Sequence, residues 1–149
     1  MNCLIKSINY CPVKSLSFQS VSSSDIKKNL GMPNDRIFAF SRGIDIEKAK
    51  IIEINPEHRK LNNFLTLKNS PVLNKYNFTY DGNRLVLTLQ GKEIISILTD
   101  SSEEKISLSK KLCELETTLA KPITLLKNKD FPFYDTSHST NIFNSISLI

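Results

Sequence analysis

An anionic ligand is held best by a compact cation, a hydroxyl donor and a planar guanidinium. Two short segments of this chain supply that set: Pro12-Val13-Lys14-Ser15 and Asp35-Arg36. Lysine brings a point charge, serine an O–H, and arginine a fork that can grip two oxygens at once. The competing reading is that Lys14 and Arg36 are rim charges paired with acids such as Asp35. The rest of the catalytic inventory is thin, with no Gly-rich phosphate loop and no nucleophile elbow. His138 stands between Ser137 and Ser139, but neighbours in sequence rarely aim at one another, and the geometry of a triad is tertiary. His58, among Glu57, Arg59 and Lys60, reads as a surface residue. Cys3 and Cys113 fall in apolar patterns and read as small buried hydrophobes. Cys11, beside Pro12 and near Lys14, also reads as a packing residue, although a neighbouring ammonium favours a thiolate. With no Cys-x-x-Cys pair and 2 histidines, ligands for a zinc site are too few.

The chain that must position these groups has 149 residues, 40% hydrophobic and 23% charged, which suits one ordinary domain with a sizeable core. No run approaches the roughly 20 apolar residues of a membrane-spanning helix, and the N-terminus lacks a secretory signal pattern. A soluble, cytoplasmic protein is expected, with its 3 cysteines reduced. The net charge of +5 is compatible with nucleic acid, an anionic small molecule or a solvated surface. Scattered lysines, and basic residues not interleaved with aromatics on one strand face, argue against nucleic acid.

The first half reads as strands. Cys3 to Tyr10 is the first run, and Pro12, which lacks an amide donor, ends it or marks an edge. A second run lies near Phe18 to Ile26. Asn29 to Asp35 is a loop by its Gly, Pro and Asn content, and Arg36 to Phe40 is the clearest buried strand. Between Ser41 and Leu61 charged residues break up the isoleucines, predicting an irregular excursion. Phe64 to Lys68 resumes an extended pattern, and Pro71-Val72-Leu73 follows. Asn77 to Tyr80 and Arg84 to Leu89 flank Asp81-Gly82-Asn83, a hairpin turn, and Gln90-Gly91 leads tightly into Glu93 to Leu98. One helix is signalled by Ser101 three residues before Glu104 and by a stripe of Leu108, Leu112, Leu115 and Leu119, ending before Pro122. The expectation is a mainly β fold: a small β-barrel or curved antiparallel meander with one packed C-terminal helix. The end of the chain changes character. Phe131 to Asp135 is aromatic, Thr136 to Thr140 polar, and Ile142 to Ile149 apolar, as though cut within a strand; a fragment is expected.

One ordered set of motifs is more specific than these patterns. An apolar strand Leu4 to Ile8 precedes Pro12-Val13-Lys14-Ser15-Leu16, then Gly31-Met32-x-x-Asp35-Arg36, then an apolar run, and further on Thr66-Leu67-Lys68-Asn69-Ser70-Pro71-Val72-Leu73. This order resembles the N-terminal β-barrel domain of MOSC-domain proteins, the group that includes the mitochondrial amidoxime-reducing component. The likeness runs from Cys3 to about Lys127. It divides the chain into residues 1–128, the β-barrel domain, and 129–149, the truncated start of a MOSC domain.

The resemblance implies a molybdenum-cofactor-binding protein, an oxidoreductase or sulfur carrier, in which this part clasps the pterin and its phosphate. A following MOSC domain would supply most of the pocket and the cysteine that ligates molybdenum. By position Lys14, Ser15 and Arg36 match the family's contacts to the molybdopterin, and Lys68 falls where the family has arginine, keeping the charge without the fork. Cys11, Phe18 and Asn34 stand where the family often has Tyr or His, Gly, and Gly. None of the three cysteines matches the metal ligand, so the chain is expected to lack a complete active site and to need a separate MOSC domain or redox partner. The alternative is a non-catalytic β-barrel module that binds an anionic ligand or a partner protein.

Overall fold

The computed structural model describes residues 1–135. The expectations for His138 and for the apolar stretch from Ile142 lie outside the described residues. Among the described residues the chain is mainly β, with seven strands in three antiparallel sheets and two α-helices. In chain order these are β1 (Ile8–Tyr10), β2 (Gln19–Val21), β3 (Phe38–Phe40), α1 (Ile46–Ile54), β4 (Tyr76–Tyr80), β5 (Arg84–Leu89), β6 (Lys92–Leu98), α2 (Ser102–Leu115) and β7 (Leu125–Lys127). The sheets pair β1 with β2, β3 with β7, and β4 through β5 to β6, without closing into a barrel. The outcome is a curved meander with a packed helix. No described helix is long and apolar enough to cross a membrane.

The centre of the molecule is β3. Side chains alternate across a strand, so Phe38 and Phe40 face one way and Ala39 the other, and none of the three is more than 1% exposed. Phe38 packs edge-on against Tyr80 at 5.0 Å and Phe40 against Phe78 at 5.7 Å, joining a core with Leu85, Leu87, Leu108 and Leu112. Ala39 belongs to a second core with Ala49 and Ile52 of α1, Leu126 of β7, Phe64 and Phe133.

The meander follows from local turn chemistry. Gly82 takes φ +100°, and the Asp81 carboxylate accepts from the amides of Asn83 at 2.8 Å and Arg84 at 2.7 Å, so the reversal is fixed within a few residues. Gln90 and Gly91, both at positive φ, turn β5 into β6. A bulge places Leu87 opposite Ile95 but Thr88 opposite Glu93. The free edge of β4 is met by side chains rather than by another ladder. Ser17 Oγ accepts from the Phe78 amide at 2.6 Å, and Gln19 accepts from the Tyr80 amide at 2.8 Å while donating to the Tyr80 carbonyl at 3.1 Å. Two side chains at strand spacing thus satisfy alternate backbone groups of β4 and seat the β1–β2 pair against the meander.

Helix α2 starts where its cap predicts, with Ser101 Oγ accepting from the Glu104 amide at 3.2 Å. The Glu104 carboxylate accepts from the Leu98 amide at 2.5 Å, so it ties the helix to the end of β6. Leu108 and Leu112 are fully buried and Leu115 is half-buried. Leu119 is buried as well, but α2 ends at Leu115 and Leu119 reaches the core from the loop beyond.

Several expectations are corrected. The Ser41 to Leu61 excursion contains α1, capped by Asp45, whose carboxylate accepts from the Lys48 amide at 2.8 Å. This helix buries Ala49 and Ile52 but exposes Ile46, Ile51 and Ile54, so no apolar stripe announces it. The first strand begins at Ile8, not Cys3; Leu4 and Ile5 are exposed, and so is Cys3. Phe64 makes one bridge, to Ser41, before the chain turns at Leu67 to Asn69, and Pro71–Lys75 forms a 3-10 helix. Asn69 breaks the extended pattern, its side-chain oxygen accepting from the Thr66 amide at 3.0 Å.

Because Leu112 is wholly enclosed between α2 and the meander, Leu112→Ala is expected to lower stability by roughly 2–5 kcal/mol in urea denaturation. A loss below about 1 kcal/mol would place that face of α2 outside the core.

Candidate functional site

The two segments singled out by sequence meet at the start of β3. The Arg36 amide donates to the Cys11 carbonyl at 2.6 Å, the Phe38 amide to the Pro12 carbonyl at 3.1 Å, and the Lys14 amide to the Phe38 carbonyl at 2.8 Å. The Asp35 carboxylate accepts from the Cys11 amide at 3.0 Å. Pro12 has no amide to offer a ladder, so its carbonyl is used and the chain turns away. Ser15 and Arg36 both take left-handed backbone, φ +60° and +52°, as does Asn34 at +66°. Such conformations cost energy for non-glycine residues and persist only where the surroundings fix them.

A third segment joins them. Ser15 Oγ accepts from the Leu67 amide at 3.3 Å, which brings the Leu67 to Asn69 turn, and with it Lys68, beside the Lys14–Ser15 loop. Lys68 is exposed. Lys14, Ser15, Arg36 and Lys68 therefore occupy three loops, the first two meeting at the start of β3 and the third running along the same edge of the strand from Phe40 and joined to Ser15 through Leu67.

Their side chains differ in what they touch. Arg36 is half-exposed, 3.8 Å from Asp35 and with its guanidinium 5.4 Å from the Tyr134 ring centre. Lys14 is 3% exposed, far from the ordinary state of a lysine. Its ammonium donates to the Phe133 carbonyl at 3.0 Å and to the Asp135 carboxylate, and lies 5.7 Å from the Phe64 ring centre. Both cations thus have an acid beside them. Asp35 is the acid the sequence suggested for Arg36, whereas Asp135 was not among the candidates for Lys14.

Arg59, Phe133, Tyr134 and Asp135 are the site residues that sequence reasoning missed. Arg59 sits in a charged run that read as surface, yet it is a junction. It donates to the carbonyls of Ile52 (2.7 Å) and Glu53 (2.9 Å) in the last turn of α1, and to those of Phe131 (2.8 Å) and Pro132 (3.1 Å). Its guanidinium also stacks 4.0 Å from the Phe133 ring centre. Burial pulls its pKa down to about 10, against the opposing pull of Glu53 and Glu57, and it stays charged at neutral pH. Phe133 is buried against Phe64, and its amide donates to the Arg36 carbonyl at 2.8 Å. Tyr134 donates to the Leu30 carbonyl at 2.6 Å; burial and nearby Asp35 push its hydroxyl up to about 12, so it remains a donor. The nearby Gly31 takes φ +71°, a left-handed conformation that glycine adopts without strain. The one visible signal for this segment was its density of aromatic residues.

The thiols sort by burial. Cys11 is buried and donates to the carbonyls of Val13 (2.8 Å) and Leu16 (3.4 Å). Burial, reinforced by Asp35, pushes its pKa up to about 11 and outweighs the opposing effect of Arg36 and Lys14. Cys113 is half-buried and shifted upward by burial. His58 is exposed beside Glu57. Among the described residues no cluster of three or more His, Cys, Asp or Glu could hold a metal ion. No protein-family model, curated protein or solved structure matches this chain.

Two expected outcomes follow from this geometry. Arg59→Lys keeps a charge but cannot serve four carbonyls at once, so stability in urea should fall by roughly 1.5–3 kcal/mol, with faster hydrogen exchange at the Phe133 amide. An unchanged exchange rate there would mean that Arg59 does not hold the segment. A thiol reagent at pH 8 should label Cys3 at once and leave Cys11 unreacted until the chain unfolds. Because the fold favours the protonated Cys11, its contribution to stability is complete below the unfolded thiol value and is lost as pH rises toward about 11. Rapid labelling of Cys11 itself in the folded chain, located by peptide mapping, would contradict its burial.

Proposed function

We propose that this chain acts as the N-terminal β module of a molybdenum-cofactor-binding MOSC-type oxidoreductase or sulfur carrier. In this reading Lys14, Ser15 and Arg36 hold the phosphate-bearing end of the pterin, with Lys68 at the rim. The observation that carries the reading is the stitching of the three motif segments. The Arg36-to-Cys11, Lys14-to-Phe38 and Leu67-to-Ser15 hydrogen bonds join, along one edge of β3, the segments that carry the groups the family resemblance assigns to the cofactor. The left-handed backbone of Ser15 and Arg36 adds support, because strain of this kind concentrates at binding sites.

The donor set suits the anionic end of such a cofactor and not its metal. An ammonium, a hydroxyl and a guanidinium match phosphate oxygens. The buried Cys11 thiol, held protonated up to about 11, does not serve as a thiolate ligand. The bound cofactor would supply the redox centre, and a separate MOSC domain or redox partner the remaining walls. What this chain's own residues do is bind and orient: Arg36 grips two oxygens, Lys14 neutralises charge, and the Ser15 O–H, whose oxygen already accepts from Leu67, remains a donor. A cytoplasmic setting fits three cysteines that are all free.

The test is a titration of the full chain with a pterin phosphate. Losing one charge-assisted bond removes roughly 1.5–3 kcal/mol, so Arg36→Ala should weaken binding by about tenfold or more. Arg36→Lys should fall between the two, retaining charge without the fork, and added salt should weaken the unmutated chain. Equal affinities across the three proteins would make Arg36 a structural rim charge and remove the basis of this reading.

A further inference from the structure

The segment Phe131 to Asp135 runs across the candidate site, and its last two residues meet two of the site's three cations, Arg36 and Lys14. Tyr134 lies against the Arg36 guanidinium and Asp135 places its carboxylate on the Lys14 ammonium. Lys14 is 3% exposed while the Asp135 side chain is 74% exposed, so the carboxylate is the group that stands between the ammonium and solvent. The remaining faces of the ammonium are covered by protein, the Phe133 carbonyl at 3.0 Å and the Phe64 ring.

The anchoring of this segment is graded. Phe131 and Pro132 are held through their carbonyls by Arg59, and Phe133 is buried, stacked and hydrogen-bonded to the Arg36 carbonyl. Tyr134 is held by its hydroxyl on Leu30 and its ring on Arg36. The interaction that holds the Asp135 side chain among the described residues is its ion pair with Lys14. The firm part of the segment therefore ends at Tyr134, and the Asp135 side chain that follows depends on the Lys14 cation itself.

We propose that Asp135 is a displaceable internal counter-ion, which keeps Lys14 neutralised in the empty site and which an incoming phosphate group replaces. This rests on the reading of Lys14, Ser15 and Arg36 as an anion site. A carboxylate and a phosphate compete for the same ammonium donors, and two anions cannot share one buried cation without repulsion. A dianionic phosphate brings more negative charge to the ammonium than a single carboxylate does, which makes it a ligand able to replace Asp135. On replacement the Asp135 side chain turns away, while Phe133 stays in the core and Tyr134 keeps its hydrogen bond to Leu30.

Titration of the full chain with inorganic phosphate at fixed ionic strength, followed by the amide resonances of Lys14, Leu67, Tyr134 and Asp135, tests this. Phosphate should shift all four in the unmutated chain, and Asp135→Asn should tighten phosphate binding by about tenfold or more, since the competing charge is gone. Asp135→Ser should give the same gain, which separates the charge effect from any peculiarity of the amide. Equal affinity in the unmutated chain and both variants, with binding still weakened by Arg36→Ala, would leave the anion site standing and overturn displacement. Weaker binding in the Asp135 variants would overturn it too, making Asp135 a structural partner of Lys14. Absence of phosphate binding in every protein would overturn both readings together.

Discussion

Burial of β3 on both faces is the constraint on which the rest of the molecule depends. A strand of three residues with Phe38 and Phe40 in one core and Ala39 in another cannot stand at a surface. It forces the meander and α2 to one side, and α1, Phe64 and Phe133 to the other. Its main chain must also be paired, because buried amides and carbonyls without partners are costly. Lys127, Leu126 and Leu125 pair along one edge, while Pro12 and Lys14 bond to Phe38 on the other. The candidate site exists because the segment carrying Lys14 is used to complete the pairing of this strand.

That arrangement explains why an ammonium is buried here. Lys14 is committed by its backbone to the edge of β3, and its side chain extends toward the second core, against Phe64 and Phe133. A buried cation without a counter-charge is unfavourable, so a carboxylate or an anionic ligand must sit on it. Asp135 meets that demand, delivered by a segment that Arg59 fastens to the end of α1. The second core, the Arg59 junction and the candidate site are thus one continuous piece of structure. Glu53 extends it, accepting from the Lys127 amide at 2.8 Å through its carboxylate and from Arg59 through its carbonyl.

The elements that were legible in the sequence are those whose cause is local. The β4–β5 hairpin is specified by Asp81 and Gly82, the start of α2 by Ser101 and Glu104, and the burial of Leu108 and Leu112 by helical spacing. Helix α1 was not legible, because its contacts with the core are Ala49 and Ile52 and its other isoleucines lie outside. Asp45 was a local cap signal, but a cap without a stripe is ambiguous between a helix and a turn. Cys3 read as buried because apolar neighbours suggested a strand, and it is exposed because β1 begins at Ile8.

By itself the sequence determined the mainly β character, the meander, the capped helix and the motif segments that carry Lys14, Ser15, Arg36 and Lys68, since each is written in residues close together along the chain. Tertiary structure decided which of those groups are free and which are occupied. Lys14 and Asp135 are 121 residues apart, and no periodicity or turn signal connects them. Neither the burial of Lys14 nor the four-carbonyl grip of Arg59 could be read from composition, because both depend on which surfaces are brought together when β3 is covered. Charge is a property of the residue, but whether that charge meets water, a carboxylate or a ligand is set by the packing around it.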